Sequence, residues 1–389
     1  FGLRETLREM DKQVQDDGAD FESSTGYHRF VLELFLYSFQ LCRNNGIEIP
    51  DRYWQKLRSM LNYTRTYLRP DGFAPLIGDT DSGQFIPVVK RRADDHAYVL
   101  PIGAAVLVEH ELKIDSTTTP ELLWFCGEEG VSIFAGLKPS TEMMSKDFPD
   151  AGIYIMRHND LYLCFNASGP GINGRGSHGH NDALSIEVSV GGRPFIIDPG
   201  TYVYSADLRK RHKFRSTAYH STVEIDSVEQ NTTDLNQPFV IGSEATPKVL
   251  LWETSATQDK VSALHRGYCR LPCPVIHKRT VTFNKGERWW RLEDEFSGEG
   301  EHEFNVRFHF DAGLDVTVKD HSVVARDVAT GVSLTITSES LSTTPSIQTQ
   351  AVSRDYGLQE KSLTACWRFN GHPGKFHWTI TSGTLLWTV

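Results

Sequence analysis

The apolar positions of the chain change period once. Up to about residue 130 they recur at helical spacing, and from about Ala151 they alternate. Phe30, Leu34, Tyr37 and Leu41 follow i, i+4, i+7, i+11, and Leu32, Phe35, Leu36 and Phe39 widen that stripe. Asn44-Asn45-Gly46 predicts the stop of this helix. A second helix is predicted from Pro50-Asp51 to Tyr67, ending before Pro70-Asp71-Gly72. A weaker third covers about Asp95 to Leu112, and a short piece spans Glu121 to Phe125. An amphipathic pattern is already under way over residues 3–14, with no Met or export signal ahead of it. The first helix therefore reads as cut, and further sequence is expected upstream.

Beyond Ala151, Ile153-Tyr154-Ile155-Met156 and Leu161-Tyr162-Leu163-Cys164-Phe165 read as strands joined by a turn at His158-Asn159-Asp160. Leu184, Ile186, Val188 and Val190 alternate with Ser185, Glu187 and Ser189, and Gly191-Gly192 turns the chain into Phe195-Ile196-Ile197. Further alternation occurs at 221–226, 247–253, 275–283, 288–296, 303–310, 332–337 and 375–381, with no helical pattern between. Antiparallel sheets packed face to face are the expectation. The division predicted is a helical domain over residues 1–135 and a large antiparallel β-sandwich over residues 136–389.

The 389 residues carry 50 acidic and 40 basic side chains, a formal net charge of −10. That balance argues against a nucleic-acid surface, which depends on neutralising phosphates. No apolar run approaches the ~20 residues that span a bilayer, so no membrane partner is expected. Of the six cysteines, only Cys269 and Cys273 lie close, across Leu271-Pro272, which is neither a zinc nor a redox signature. Free, mostly buried thiols are expected, with one disulfide as the alternative. Oligomeric state is not readable.

The densest chemistry lies in Gly174-Arg175-Gly176-Ser177-His178-Gly179-His180-Asn181-Asp182 and in the later Asp198-Pro199-Gly200-Thr201-Tyr202-Val203-Tyr204. Paired histidines in a glycine-rich loop suit metal binding or acid–base work. His180, Asp198 and His220 make an N, O, N donor set for zinc, with ordinary polar loop residues as the competing reading. A hairpin about Gly191-Gly192 sets Asp198 roughly opposite Ile186. His180 then lies about 20 Å away if its segment stays extended, so the loop must fold back to close a site.

At these residues the chain resembles the heparinase II/III-like polysaccharide lyases. The resemblance is carried by S-H-G-H-N-D-A-L-S-I-E-V, G-G-R-P-F-I-I-D-P-G-T-Y-V-Y and Y-H-S-T-V, by the segment from Gln15 to His28, and by Gly78-Asp79-Thr80-Asp81-Ser82. These blocks occur in the family's order from Gln15 to about Val223. The resemblance implies an incomplete α/α toroid followed by the sandwich, with the active site between them. It implies β-elimination at a uronic acid residue of an anionic polysaccharide, giving an unsaturated sugar. It also implies Tyr27 and His178 as catalytic residues, one structural zinc at His180, Asp198 and His220, and a periplasmic or secreted location. Alginate, heparan-type chains, chondroitin-type chains and bacterial exopolysaccharides all stay open. An Asn or His on an upstream helix, which neutralises the substrate carboxylate in the family, is not found in the 26 residues before Tyr27.

Arg209-Lys210-Arg211-His212-Lys213-Phe214-Arg215 is the one dense basic run. Arg209, Arg211 and Arg215 read as a subsite for carboxylates or sulfates, a solvated loop being the alternative. Arg175, Asp79 and, more weakly, Arg29 are further substrate-binding candidates. Trp289, Trp290 and Trp367 fit sandwich core better than sugar platforms, and His309 fits a satisfied core histidine. Two other functions stay open: a zinc-dependent hydrolase, and a glycan-binding protein without catalysis.

Overall fold

A computed structural model describes residues 1–140 and 142–383. The N-terminal third is helical: α1 (Gly2–Gln13), α2 (Thr25–Asn44), α3 (Asp51–Tyr67), α4 (Val99–Leu107) and α5 (Pro120–Gly136). α2 starts where the Ser24 hydroxyl accepts the Tyr27 amide, and it ends at the predicted Asn-Asn-Gly. Its buried stripe differs from the one first traced. Leu32, Phe35, Leu36 and Phe39 are buried, whereas Leu41 is 64% exposed and Phe30 and Leu34 are half-buried. The i, i+3, i+4, i+7 set wins because it faces α3, α4 and α5; of the i, i+4, i+7, i+11 set Tyr37 is buried, and Leu41 turns outward. The weak third helix shortens to α4, which a left-handed Val108 ends. The short fourth piece lengthens into α5, with a break in helical backbone at Gly127.

The remainder is antiparallel sheet. β1 (Lys146–Phe148), β2 (Ile153–His158), β3 (Leu161–Asn166), β4 (Ser185–Val190) and β5 (Arg193–Ile196) form one sheet in that order. After α6 (Leu208–Phe214) come β6 (Val223–Ile225), β7 (Lys248–Thr254), β8 (Gln258–His265), β9 (Val275–Asn284), β10 (Trp289–Gly298) and β11 (His302–His309). β12 (Asp315–Lys319), β13 (Ser322–Arg326), β14 (Ser333–Ser338), β15 (Ser346–Val352), β16 (Glu360–Gly371) and β17 (Lys375–Gly383) complete the chain. They build one sheet ordered β12-β13-β14-β17-β10-β9-β8-β7 and another ordered β15-β16-β11-β6. α6 corrects the expectation of uninterrupted strands. β12, β13, β8, β15 and β16 were not legible as alternation. β12 and β15 lie at sheet edges with mostly solvated side chains. β8 buries Asp259, Ser262 and His265 in place of apolar residues.

The first sheet is buried on both faces, as the near-continuous apolar runs of β2 and β3 require. Ile153, Ile155, Tyr162 and Cys164 pack with the helices, while Tyr154, Met156, Leu163 and Phe165 join the sandwich core. Hydrogen bonds sew the same junction. Tyr162 Oη donates to the Tyr67 carbonyl at 2.8 Å, and Arg157 Nη2 to the Thr66 carbonyl at 3.0 Å. All six cysteines are free; only Cys164 and Cys366 are buried, fewer than expected. No helix among the described residues is long and apolar enough to cross a membrane.

Trp290 and Trp367 are fully buried core, and His309 is buried with Thr364 Oγ1 at 2.8 Å from its Nδ1. Adjacent Trp289 is only partly buried and donates to Glu287 at 2.6 Å. Trp290→Ala is therefore expected to cost about 3–5 kcal/mol of unfolding free energy, and Trp289→Ala under about 1 kcal/mol. Denaturant titration of both variants checks this; equal losses would contradict the core assignment.

Candidate active site

The site is assembled on the loop between α3 and α4. Thr25 donates its amide to the Ile77 carbonyl and its hydroxyl to the Pro75 carbonyl, at 3.1 and 2.7 Å. The Ser24 hydroxyl reaches the Asp79 carbonyl at 2.5 Å. The same loop meets the sandwich: the Asp79 amide donates to the His178 carbonyl at 2.8 Å, and the Thr80 amide to Thr201 Oγ1 at 2.7 Å. Gly78 stands where three backbones touch. A Cβ there would lie 2.6 Å from the Ser23 carbonyl oxygen and 2.8 Å from that of His178, at φ +67°.

This packing brings Tyr27, in the first turn of α2, against His178 in the glycine-rich loop. Their rings stack with centroids 3.8 Å apart and planes inclined by 26°. Tyr27 Oη donates to Asp81 Oδ2 at 3.2 Å and lies 3.4 Å from Tyr204 Oη. Burial, reinforced by Asp81 and Asp79 and opposed by the Tyr204 hydrogen bond, pushes the phenol well above its usual pKa. His178 Nδ1 is 3.1 Å from Asp79 Oδ2, and Nε2 is 3.3 Å from Glu22 Oε2. Burial raises Glu22, with His178 opposing.

Asp79 corrects its assignment as a substrate contact. Its side chain has no exposed surface, and both oxygens are taken by protein. It accepts from His178, from His180 Nε2 at 3.0 Å, and from both terminal nitrogens of Arg211, Nη2 at 2.8 Å. Burial acts to raise this carboxyl, but Arg211 and the two histidines outweigh it and hold it well below the usual carboxylate range.

The glycine-rich loop does fold back. Donor atoms of His180, Asp198 and His220 all lie within 4.8 Å of one another, and all three residues are buried. His180 Nδ1 is 3.3 Å from His220 Nε2, which is 3.5 Å from Asp198 Oδ2. Outer contacts set the tautomers: His180 Nε2 faces Asp79, and His220 Nδ1 faces the Ser216 carbonyl at 2.8 Å. Each imidazole thus donates outward and turns a lone pair inward, as metal ligands do. Burial lowers both histidines, and burial with Asp182 and Glu187 raises Asp198 well above the carboxylate range. Two inward lone pairs beside a buried acid fit a divalent cation. Arg279, paired with Asp294, donates from Nη1 to the carbonyls of Leu184 and Ser221, both at 2.9 Å, and so pins both histidine-bearing segments.

The basic run is α6, capped by Asp207. Arg209 and Arg175 are exposed. Arg211 and Arg215 are not a surface subsite: both are fully buried, and Arg215 donates to the carbonyls of Gln237, Pro238 and Val240. Helical periodicity explains the split, since residues 208, 211, 212 and 215 share one face. Arg29 is likewise buried, bonded to Glu33 at 3.0 Å. Glu22, Asp81 and Tyr204 were not singled out. Each stood inside a quoted motif, but only the folded loops bring them to Tyr27 and His178.

The description "Heparinase II/III-like, C-terminal" matches residues 141–381, and "Heparinase II/III N-terminus" matches residues 1–101. The heparin-sulfate lyase of Pedobacter heparinus is 27% identical over 315 residues, covering 77% of this chain and 40% of that protein. The heparin-sulfate lyase of Bacteroides stercoris is 22% identical over 314 residues, covering 79% of this chain and 41% of that protein. The chain thus spans about two fifths of these relatives' length. Among solved structures, a heparan sulfate lyase HepC mutant from Pedobacter heparinus superposes with TM-score 0.75 at 22% identity, over 98% of this chain and 56% of the other. A heparinase III structure gives TM-score 0.77 at 17% identity, over 98% and 57%. The helical layer, the shared antiparallel sheet and the loop that joins them at Tyr27 and His178 all fall within these matches, and the chain belongs to the heparinase II/III-like family.

Proposed function

We propose that this chain belongs to a polysaccharide lyase that cleaves a uronic-acid-containing, glycosaminoglycan-type chain by β-elimination. The observation that carries the reading is the stacked, partly exposed Tyr27–His178 pair at the junction of helices and sandwich. The lyase relatives add the substrate class. The helices belong, on this reading, to an incomplete α/α toroid.

The proton on C5 of a uronate is weakly acidic, because its loss builds negative charge onto the adjacent carboxylate. A base removes that proton, its electron pair forms the C4=C5 double bond, the C4–O bond breaks, and the leaving oxygen takes a proton from an acid. Tyr27 holds its proton firmly in the free chain and suits the acid. His178 gives Nδ1–H to Asp79, which leaves Nε2 as the base. Exposed Arg175 and Arg209 suit the anionic groups of the polymer.

Zinc fits the donor set of His180, Asp198 and His220. Bound there, it would cross-link the loops around the site. Full burial of all three donors disfavours a hydrolase reading, which needs an open position for water.

Tyr27→Phe is expected to leave the melting temperature unchanged and to lower kcat about 10²–10⁴-fold, read as ultraviolet absorbance of the unsaturated product. Full activity in this variant would remove Tyr27 from the chemistry. Asp79→Asn should weaken zinc binding about 10–100-fold in chelator competition and lower kcat as well, since one carboxylate orients both histidines. Stripping metal should lower the melting temperature and zinc should restore it. Activity lost at unchanged stability, with saturated products, would favour hydrolysis instead.

A further inference from the structure

We infer that Phe239, Tyr204 and Tyr356 form an aromatic platform on which a pyranose ring of an acidic oligosaccharide lies next to the catalytic pair. This deepens the proposed function and rests on it. The three rings come from three separate segments: after β5, between β6 and β7, and between β15 and β16. Tyr204 is the centre, with ring centroids 5.4 Å from Phe239 and 5.2 Å from Tyr356.

Exposure sets this cluster apart from the rings of the sandwich core. The rings of the sandwich core are buried, whereas Phe239 is 36% and Tyr356 38% exposed. An apolar surface held in water at an active site is expected where a ligand covers it. The cluster also continues the catalytic pair without a gap. Phe239 lies 6.4 Å from the His178 ring, and Tyr204 Oη lies 3.4 Å from Tyr27 Oη.

The platform is held rigid from beneath. The buried Arg211 guanidinium lies 5.2 Å from the Tyr204 centroid and 5.6 Å from that of Phe239. Because Asp79 pins Arg211, the ion pair that orders the histidines also seats the two rings. Between the segments, the Tyr204 amide donates to Tyr356 Oη at 2.9 Å, and the Gly357 amide to the Tyr202 carbonyl at 2.7 Å. Such preorganisation removes ordering cost at binding.

The chemistry suits a sugar rather than its charges. A pyranose presents a face of C–H bonds, slightly positive, that stacks on the negative face of an aromatic ring. Carboxylates and sulfates project from the ring edge, away from the stacked face. The platform thus recognises the ring whatever its sulfation.

The test is calorimetric titration of octasaccharides of heparan sulfate, chondroitin sulfate and alginate into the Tyr27→Phe protein, whose expected slow turnover lets binding be read. Into that background go Phe239→Ala, Phe239→Tyr and Tyr356→Leu. Exposed positions make these variants foldable, and a melting curve verifies it. For whichever chain the parent binds, Phe239→Ala and Tyr356→Leu are expected to weaken binding roughly tenfold, and Phe239→Tyr to hold it within about threefold. Unchanged binding in both Phe239→Ala and Tyr356→Leu would overturn the platform, even if the Tyr27 protein forms unsaturated product. If the Tyr27 protein makes no such product while the parent binds and these losses appear, elimination falls and the platform stands. Failure of the parent to bind any of the three chains would overturn both.

Discussion

One buried carboxylate organises the site. Asp79 has no solvent contact, and an uncompensated charge there would be prohibitively costly. Arg211 repays that cost through two hydrogen bonds, and the remaining acceptor capacity goes to His178 and His180. The ion pair gains strength from the same low dielectric that would punish either partner alone. The placement of His178 against Tyr27, the tautomer of His180 and the seating of the aromatic rings all hang on it, so their separate effects are not additive.

The carboxylate and its three partners come from distant parts of the chain: Asp79 from the α3–α4 loop, His178 and His180 from the glycine-rich loop before β4, and Arg211 from α6. The pair is therefore also a clasp between the helical layer and the sandwich. Around it, the first sheet lends one face to each layer. On the sandwich side, Arg279 and Asp294 hold the backbone after His220 and at the end of the His180 loop. Helices, sheet and loops form one continuous scaffold, which catalytic groups need if they are to stay aligned to fractions of an ångström.

Much of the architecture was legible because it rests on local periodicity. α2 and α3, the β2–β3 hairpin and the β4–β5 turn follow from spacing, caps and glycine pairs. So did the donor set of His180, Asp198 and His220 as a candidate, since histidines and an aspartate cluster in short motifs. What escaped was whatever the long-range fold alone controls. Edge strands β12 and β15 bury few of their side chains and so lack a clear pattern. The basic run reads as surface because charge usually is, yet helical phase turns Arg211 and Arg215 inward to meet Asp79 and backbone carbonyls.

The sequence by itself determined the class of fold and the residue types at the site, because both are written in short-range pattern. Tertiary structure alone decided the roles. It moved Asp79 from substrate contact to internal anchor, split one basic run into exposed Arg209 and buried Arg211, and drew Phe239, Tyr204 and Tyr356 to the same edge. The physical reason is that burial and partnership depend on loops closing over tens to hundreds of residues. No local spacing encodes which buried charge will find its counterion there.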